Sequence, residues 1–361
     1  MCSKLLLFFF LSVSLTIYGQ NNRIWGLEYS AKGGFLLAHT PSMNHLPKQH
    51  VQAQEISFVH LPSGSKAWHS RLNFPLVGAT LNSGNLGNDE VLGKSTGLYG
   101  FMKFRLDPGL HRHKFYFKFG VGGSYLSKIH SIENNPKNNA ISSHWNYLLN
   151  TSLGYEYMFP GHMYIGAGFD FMHMSNAAFK APNLGLNIPQ IKINIGFLLH
   201  PKKLIISIIK QDTITSLDSD WHFLFQGMYS QKEISAYPGF KFPVFAGNVL
   251  VQHKLNSTLF YETGLDFMWN SSDLTLRQEK KIQDSLLLKV GGYFGVTLPL
   301  DRLQFNLGLG GYIYDPYTLN GIFYQRLGLR YFLLKPLFVS LTLKTHWFNA
   351  DYAEFGIGVR L

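Results

Sequence analysis

Between positions 173 and 187 the chain gathers His173, Ser175, Asn176, Lys180, Pro182, Asn183, Gly185 and Asn187. Just upstream, Ile165, Ala167, Phe169 and Phe171 alternate with Gly166, Gly168, Asp170 and Met172, which is the side-chain period of a β-strand. His173 and Ser175 continue the Phe169/Phe171 face. An imidazole and a hydroxyl therefore meet at the end of a strand whose face is otherwise apolar. A serine hydroxyl is a weak nucleophile until a neighbouring base takes its proton. Residues two apart on a strand can bring the two groups within hydrogen-bond reach. The chemistry expected is hydrolysis of a lipid ester, with Ser175 as nucleophile and His173 as base. Asn176 and Asn183 carry amide donors that could stabilise an oxyanion, while Gly185 lets the adjoining loop turn sharply and Pro182 stiffens it.

The rest of the chain indicates what holds such a pair. It is 15% aromatic and 15% charged, with 35 glycines among 361 residues, against about 25% charged for soluble domains. Beyond the first nineteen residues there is no uninterrupted apolar run of the ~18 residues that a membrane helix needs. Alternating, glycine-rich, charge-poor segments instead fit an all-β, antiparallel up-and-down transmembrane β-barrel. Such segments fall near 24–38, 51–61, 70–81, 92–106, 113–128, 142–158, 162–175 and 188–200, then 221–231, 243–254, 257–269, 285–299, 302–314, 321–333, 336–347 and 351–361. The expectation is one barrel of about 16 strands; the alternative is two 8-stranded units arising from an internal duplication.

Turn lengths alternate as well. Phe159 to His162, Pro299 to Arg302 and Leu334 to Leu337 are tight, while Ser131 to Ala140, Asn176 to Asn187 and Asn270 to Ser285 are long. Short turns belong to the periplasmic side and long loops to the outside, so His173 and Ser175 are expected at the outer rim. The two halves are weakly alike: Tyr147 to Tyr157 is similar to Tyr324 to Tyr331, and each is followed by a tight turn and a strand ending in His, at His173 and His346. Phe348 stands where the first half has Ser175, and His346 shares its face with Ser340, Thr342 and Lys344. The second copy is therefore read as degenerate, with His346 facing the lumen. The domains expected are a signal peptide at 1–19, a half carrying the motif at 20–200, and a second half at 201–361.

Lys4, the apolar run from Leu5 to Leu15 and the Tyr18-Gly19 boundary have the three regions of a cleaved secretory signal. The single cysteine, Cys2, lies inside it. The net charge is +11, but Lys and Arg are scattered singly over strands and turns. That pattern suits anionic lipid headgroups and not nucleic acid. His39, His45, His50, His111 and His113 have no carboxylates or thiols at ligand spacing, so no metal is expected. The runs Gly120 to Gly123 and Gly308 to Gly311 precede no helix pattern, so no dinucleotide cofactor is expected either.

At residues 173 to 187 the chain resembles the outer-membrane lipid A 3-O-deacylase (acyloxyacyl hydrolase-like) family. That family's stretch reads His-x-Ser-Asn-Ala, a few residues, then Lys-x-Pro-Asn-x-Gly-x-Glu. His173, Ser175, Asn176, Ala177, Lys180, Pro182, Asn183 and Gly185 match it without a gap. The resemblance implies a serine esterase of the bacterial outer membrane that removes an ester-linked acyl chain from lipid A of lipopolysaccharide. It also makes Lys180 a candidate for meeting lipid phosphate. An apolar alternation running to Leu361 resembles the signal read by the outer-membrane assembly machinery. Where the family carries Glu, this chain has Asn187. An Asn can accept a hydrogen bond from the ring and set its tautomer, but it cannot stabilise imidazolium by charge; losing the carboxylate of a serine triad costs on the order of 10⁴ in rate. A weakened enzyme is therefore expected. The rivals are an inactive lipopolysaccharide-binding barrel and an outer-membrane pore.

Overall fold

Alternation in the sequence becomes strand after strand in the backbone. The computed structural model describes residues 24–107, 112–199, 221–235, 237, 239–256, 258–273, 275, 287–316, 321–347 and 349–361. The proposed signal peptide, the link at 201–220 and Phe348 lie outside these residues. The first eight strands are β1 (Ile24–Gly34), β2 (Val51–Leu61), β3 (Leu76–Asn85), β4 (Lys94–Arg105), β5 (His113–Leu126), β6 (Trp145–Met158), β7 (Met163–Ser175) and β8 (Leu186–Leu198). The second eight are β9 (Trp221–Glu233), β10 (Lys241–Lys254), β11 (Phe260–Asn270), β12 (Leu288–Leu300), β13 (Leu303–Tyr314), β14 (Phe323–Phe332), β15 (Leu337–His346) and β16 (Asn349–Arg360).

These strands form two closed antiparallel barrels of eight, which is the alternative of two 8-stranded units and not the single barrel of about 16. The reason is pairing at the ends of each half. β8 returns to β1, from Gly26 opposite Leu198 to Gly34 opposite Gln190, so no edge is left for β9. β16 closes onto β9 from Phe355 opposite Tyr229 to Arg360 opposite Leu224. A second departure concerns β3, expected from residue 70. Ala67–Arg71 instead forms a short helix, α1, and positive φ at Asn73 and Phe74 turns the chain before β3 begins.

An eight-stranded barrel has an interior just wide enough for side chains to fill. Here charges fill it. In the first barrel Lys32 reaches Glu55 at 2.6 Å and Asp170 at 2.7 Å, and Lys103 reaches Glu28 at 2.6 Å and Glu156 at 2.7 Å. In the second, Arg326 pairs with Asp266 at 2.9 Å and with Glu354, Arg330 pairs with Glu262, and Lys344 lies 2.8 Å from Asp351. Removing one partner from such a buried pair typically costs about 3–5 kcal/mol, because the other charge is stranded. The pore alternative assumed the aqueous lumen of a sixteen-strand barrel, and that premise falls with the closure into two. Leu27, Ile56, Leu98, Phe169 and Ile193 of the first barrel and Phe223, Leu307 and Ile357 of the second are exposed on the outward faces, as a lipid-facing surface requires.

The barrels stand side by side in the same direction. At mid-height the Phe119 and Phe305 rings meet edge to face, 6.4 Å between centroids. At one end Lys66, preceding α1, pairs with Asp301 in the β12–β13 turn. At the other end the backbone N–H of Glu233 donates to the carbonyl of Ala178 at 2.9 Å.

Candidate active site

The motif residues close β7 and cross to β8. His173 lies opposite Asn187 on β8 and opposite Leu149 on β6, while Ser175 lies opposite Tyr147. Fourteen residues of sequence separation thus become direct cross-strand contact. His173 Nδ1 is 2.6 Å from Asn187 Oδ1. The amide oxygen can only accept, so Nδ1 carries the proton and Nε2 keeps its lone pair. The other side of the Asn187 amide donates through Nδ2 to His39 Nδ1 at 3.1 Å. Sequence alone brings up His39 only as a metal ligand; among the described residues no group of three His, Cys, Asp or Glu is arranged to hold one.

Ser175 is 6% exposed. Its Oγ accepts from Asn183 Nδ2 at 2.9 Å and from the Ala177 N–H at 3.1 Å. Among the described contacts no hydrogen bond joins Ser175 to His173, although both line the same cleft. Such bonds are often long before substrate arrives.

The loop from 176 to 185 is held by its own polar groups. Asn176 Nδ2 donates to Ser143 Oγ and to the Lys180 carbonyl, both at 2.9 Å, so its donors are engaged in loop support. Asn183 is placed differently. Its Oδ1 accepts from the Asn176 N–H at 3.1 Å, and its Nδ2 lies against the nucleophile, where a second amide proton could meet a developing oxyanion. Gly185 has φ +77°, and a Cβ there would lie 3.0 Å from His173 Cε1. A side chain there would strain the backbone and crowd the ring. Lys180 is exposed at the loop's outer surface.

Ala177 and Ala178 have φ of +53° and +61°, a left-handed conformation that costs an alanine roughly 1–2 kcal/mol each. Part of what holds them comes from the second barrel. Besides the Glu233 N–H on the Ala178 carbonyl, Glu233 Oε1 accepts the Ala181 N–H at 3.0 Å. Lys241 reaches the Phe179 carbonyl, with its ammonium 3.8 Å above the Phe179 ring. Sequence reading misses Glu233 and Lys241, because a charged residue at a strand end carries no local signal of its partner.

In the second barrel His346 faces the lumen as expected, with Nε2 3.0 Å from the Tyr312 hydroxyl and Nδ1 3.6 Å from Asp351.

Residues 56–196 match the family Lipid A 3-O-deacylase (PagL). Over these residues the first barrel is similar to the lipid A 3-O-deacylase family. Residues 219–361 match the family Acyloxyacyl hydrolase, C-terminal domain, so the deacylase-family barrel is followed by a barrel with a family match of its own. No curated relative matches the chain. Among solved structures the chain is similar to Neisserial surface protein A, with 10% identity and a TM-score of 0.34 over 48% of this chain and 96% of that one. It is also similar to the N-terminal β-barrel domain of Pseudomonas aeruginosa OprF, with 15% identity and a TM-score of 0.27 over 48% of this chain and 97% of that one.

Proposed function

We propose that this protein is a serine esterase of the bacterial outer membrane, exported by a signal peptide at 1–19, that removes an ester-linked acyl chain from lipid A. The half at 20–200 performs the chemistry and the half at 201–361 supports it. The observation that carries this reading is the Nδ1 to Oδ1 bond between His173 and Asn187, beside a serine that shares an apolar cleft with that ring.

In this reading His173 Nε2 takes the proton from Ser175 as Oγ attacks the ester carbonyl. The carbonyl π pair moves onto oxygen, where the Asn183 amide donates to it. As the tetrahedral intermediate collapses, the ester C–O bond breaks and imidazolium protonates the departing sugar oxygen. Water, deprotonated by the same ring, then attacks the acyl-serine carbonyl; the C–Oγ bond breaks, the imidazolium returns its proton to Ser175 Oγ, and the fatty acid is released. Asn187 fixes the tautomer throughout but offers the imidazolium no full charge, so turnover is slower than a carboxylate would give. Lys180, exposed on the loop, is available to a lipid A phosphate.

The test is expression in a host of known lipid A, comparing the parent with Ser175→Ala and His173→Ala by lipid A mass spectrometry. Loss of one acyl chain is expected with the parent alone. Deacylation persisting in both variants rejects the nucleophile and base. Fully acylated lipid A with the folded parent favours a lipopolysaccharide-binding barrel, a reading that the neutral Asn187 supports.

A further inference from the structure

The cleft that opens on Ser175 has two walls, and only one belongs to the deacylase-family barrel. On that side the wall descends from Tyr147 through Leu149 and Val121 to Phe119. Strand register sets its depth. Phe119 is level with Thr151, and Thr151 with Phe171, four residues below Ser175, which is roughly 14 Å along the strand at about 3.4 Å per residue. The opposite wall is Leu327 and Leu329 of β14 and Leu341 and Leu343 of β15, with Phe305 of β13 at its lower edge. Phe305 and Phe119 meet there and form the floor. At the mouth the described residues of the second barrel include Ala350 and Ala353, which present methyl groups. The cleft has a cavity volume of about 90 Å³ as it stands, and further room for a chain lies on its open side.

Burial sets these wall residues apart from others on the same outward faces. Leu307 and Phe355, beside them on β13 and β16, are each 61% exposed, whereas Phe305, Leu327, Leu329, Leu341 and Leu343 are half-buried.

We propose that the second barrel builds the far wall and floor of the acyl-chain cleft and thereby sets which acyl chain Ser175 cuts. This rests on the esterase reading. The occupant is the acyl chain of the glycolipid whose ester carbonyl lies at Ser175, because nucleophile and base line the cleft mouth and the walls below them carry apolar side chains. Lipid tails are as apolar as leucine, so moving a chain from the bilayer into the cleft gains little from hydrophobicity; selection comes from packing against the walls. A chain too long for the floor at Phe119 and Phe305 has to bend, and one too short leaves lower contacts unmade.

The full-length protein in detergent can be given glycolipid esters with four-carbon and fourteen-carbon acyl chains. Leu329→Trp, which fills the lower half, should reduce the long-to-short ratio of kcat/KM at least tenfold. Phe305→Ala, which removes the floor, should raise it severalfold. Ratios within twofold of the parent in both folded variants overturn the proposal.

A second measurement is independent of turnover. Ser175→Ala is irradiated with a fourteen-carbon glycolipid ester bearing a diazirine near the chain end, and adducts are compared with those of a phosphatidylcholine carrying the same group. Excess adducts on β14 and β15 peptides support the wall, and an excess confined to residues 24–199 overturns it. If the parent cleaves neither ester yet the excess on β14 and β15 is present, the wall stands and the esterase reading fails.

Discussion

Asn187 and His173 face each other across the β7–β8 ladder, and Asn187 Oδ1 takes the ring's Nδ1 proton at 2.6 Å. In the family that this motif resembles, Glu stands at the corresponding position. Asn187→Glu should raise kcat by tenfold or more, because the imidazolium formed during attack gains a charge-assisted bond, roughly twice as strong as a neutral one. Asn187→Ala should lower kcat at least tenfold by freeing the ring to take the wrong tautomer. Deacylation by purified protein across a pH series measures both, and unchanged rates in both variants remove Asn187 from the site.

Gly185 makes a sharper demand on its position than the polar residues around it. Its φ of +77° and the 3.0 Å that would separate an added Cβ from the His173 ring act together. Gly185→Ala should cost about 1–2 kcal/mol of local backbone strain and push the ring from its bond to Asn187. The expected result is at least a tenfold loss of deacylation with normal membrane assembly, read from lipid A mass and heat-dependent gel mobility.

Glu233 contributes to the site from outside the deacylase-family barrel. Glu233→Ala removes the acceptor of the Ala181 N–H, leaving the left-handed turn at Ala177 and Ala178 less restrained. A three- to tenfold fall in kcat with little change in KM is expected. Glu233→Gln should recover most of it, since an amide oxygen can accept the same bond. Equal loss in both variants would mean that charge, not the bond, is what matters there.

His346 provides a control drawn from the other half. It points into the second lumen against Tyr312 and Asp351, away from the cleft. His346→Ala should leave deacylation within threefold of the parent. A loss as large as that of His173→Ala would show the second barrel's interior to be coupled to the chemistry.

The strands were legible in the sequence wherever one face is apolar and turned outward and the other lines a packed interior, because alternation then runs unbroken, as in β5, where Phe115, Phe117 and Phe119 point out and Tyr116 and Lys118 point in. Arg326 and Arg330 pair with Asp266 and Glu262 inside the second lumen. Closure was not legible. Whether β8 meets β1 or β9 depends on which ladders complete a ring, and alternation within a strand is the same either way. The α1 turn was hidden for a related reason: Ala67 to Arg71 mixes apolar and polar residues over a span too short to reveal its period. Of the candidate site, the hydrogen bond between Asn187 and His173 could be read from the sequence. The contributions of His39, Glu233 and Lys241 could not, since each reaches the loop across a distance in sequence that carries no spacing rule.

The two barrels touch at three heights: Lys66 with Asp301 at one rim, Phe119 with Phe305 midway, and Glu233 with Ala178 at the other. A single contact would act as a pivot about which two cylinders could scissor, and their gap would open and close with every tilt in the bilayer. Contacts at three heights oppose that scissoring, so the two cylinders keep their axes aligned and the movement left to them is a swing about the seam.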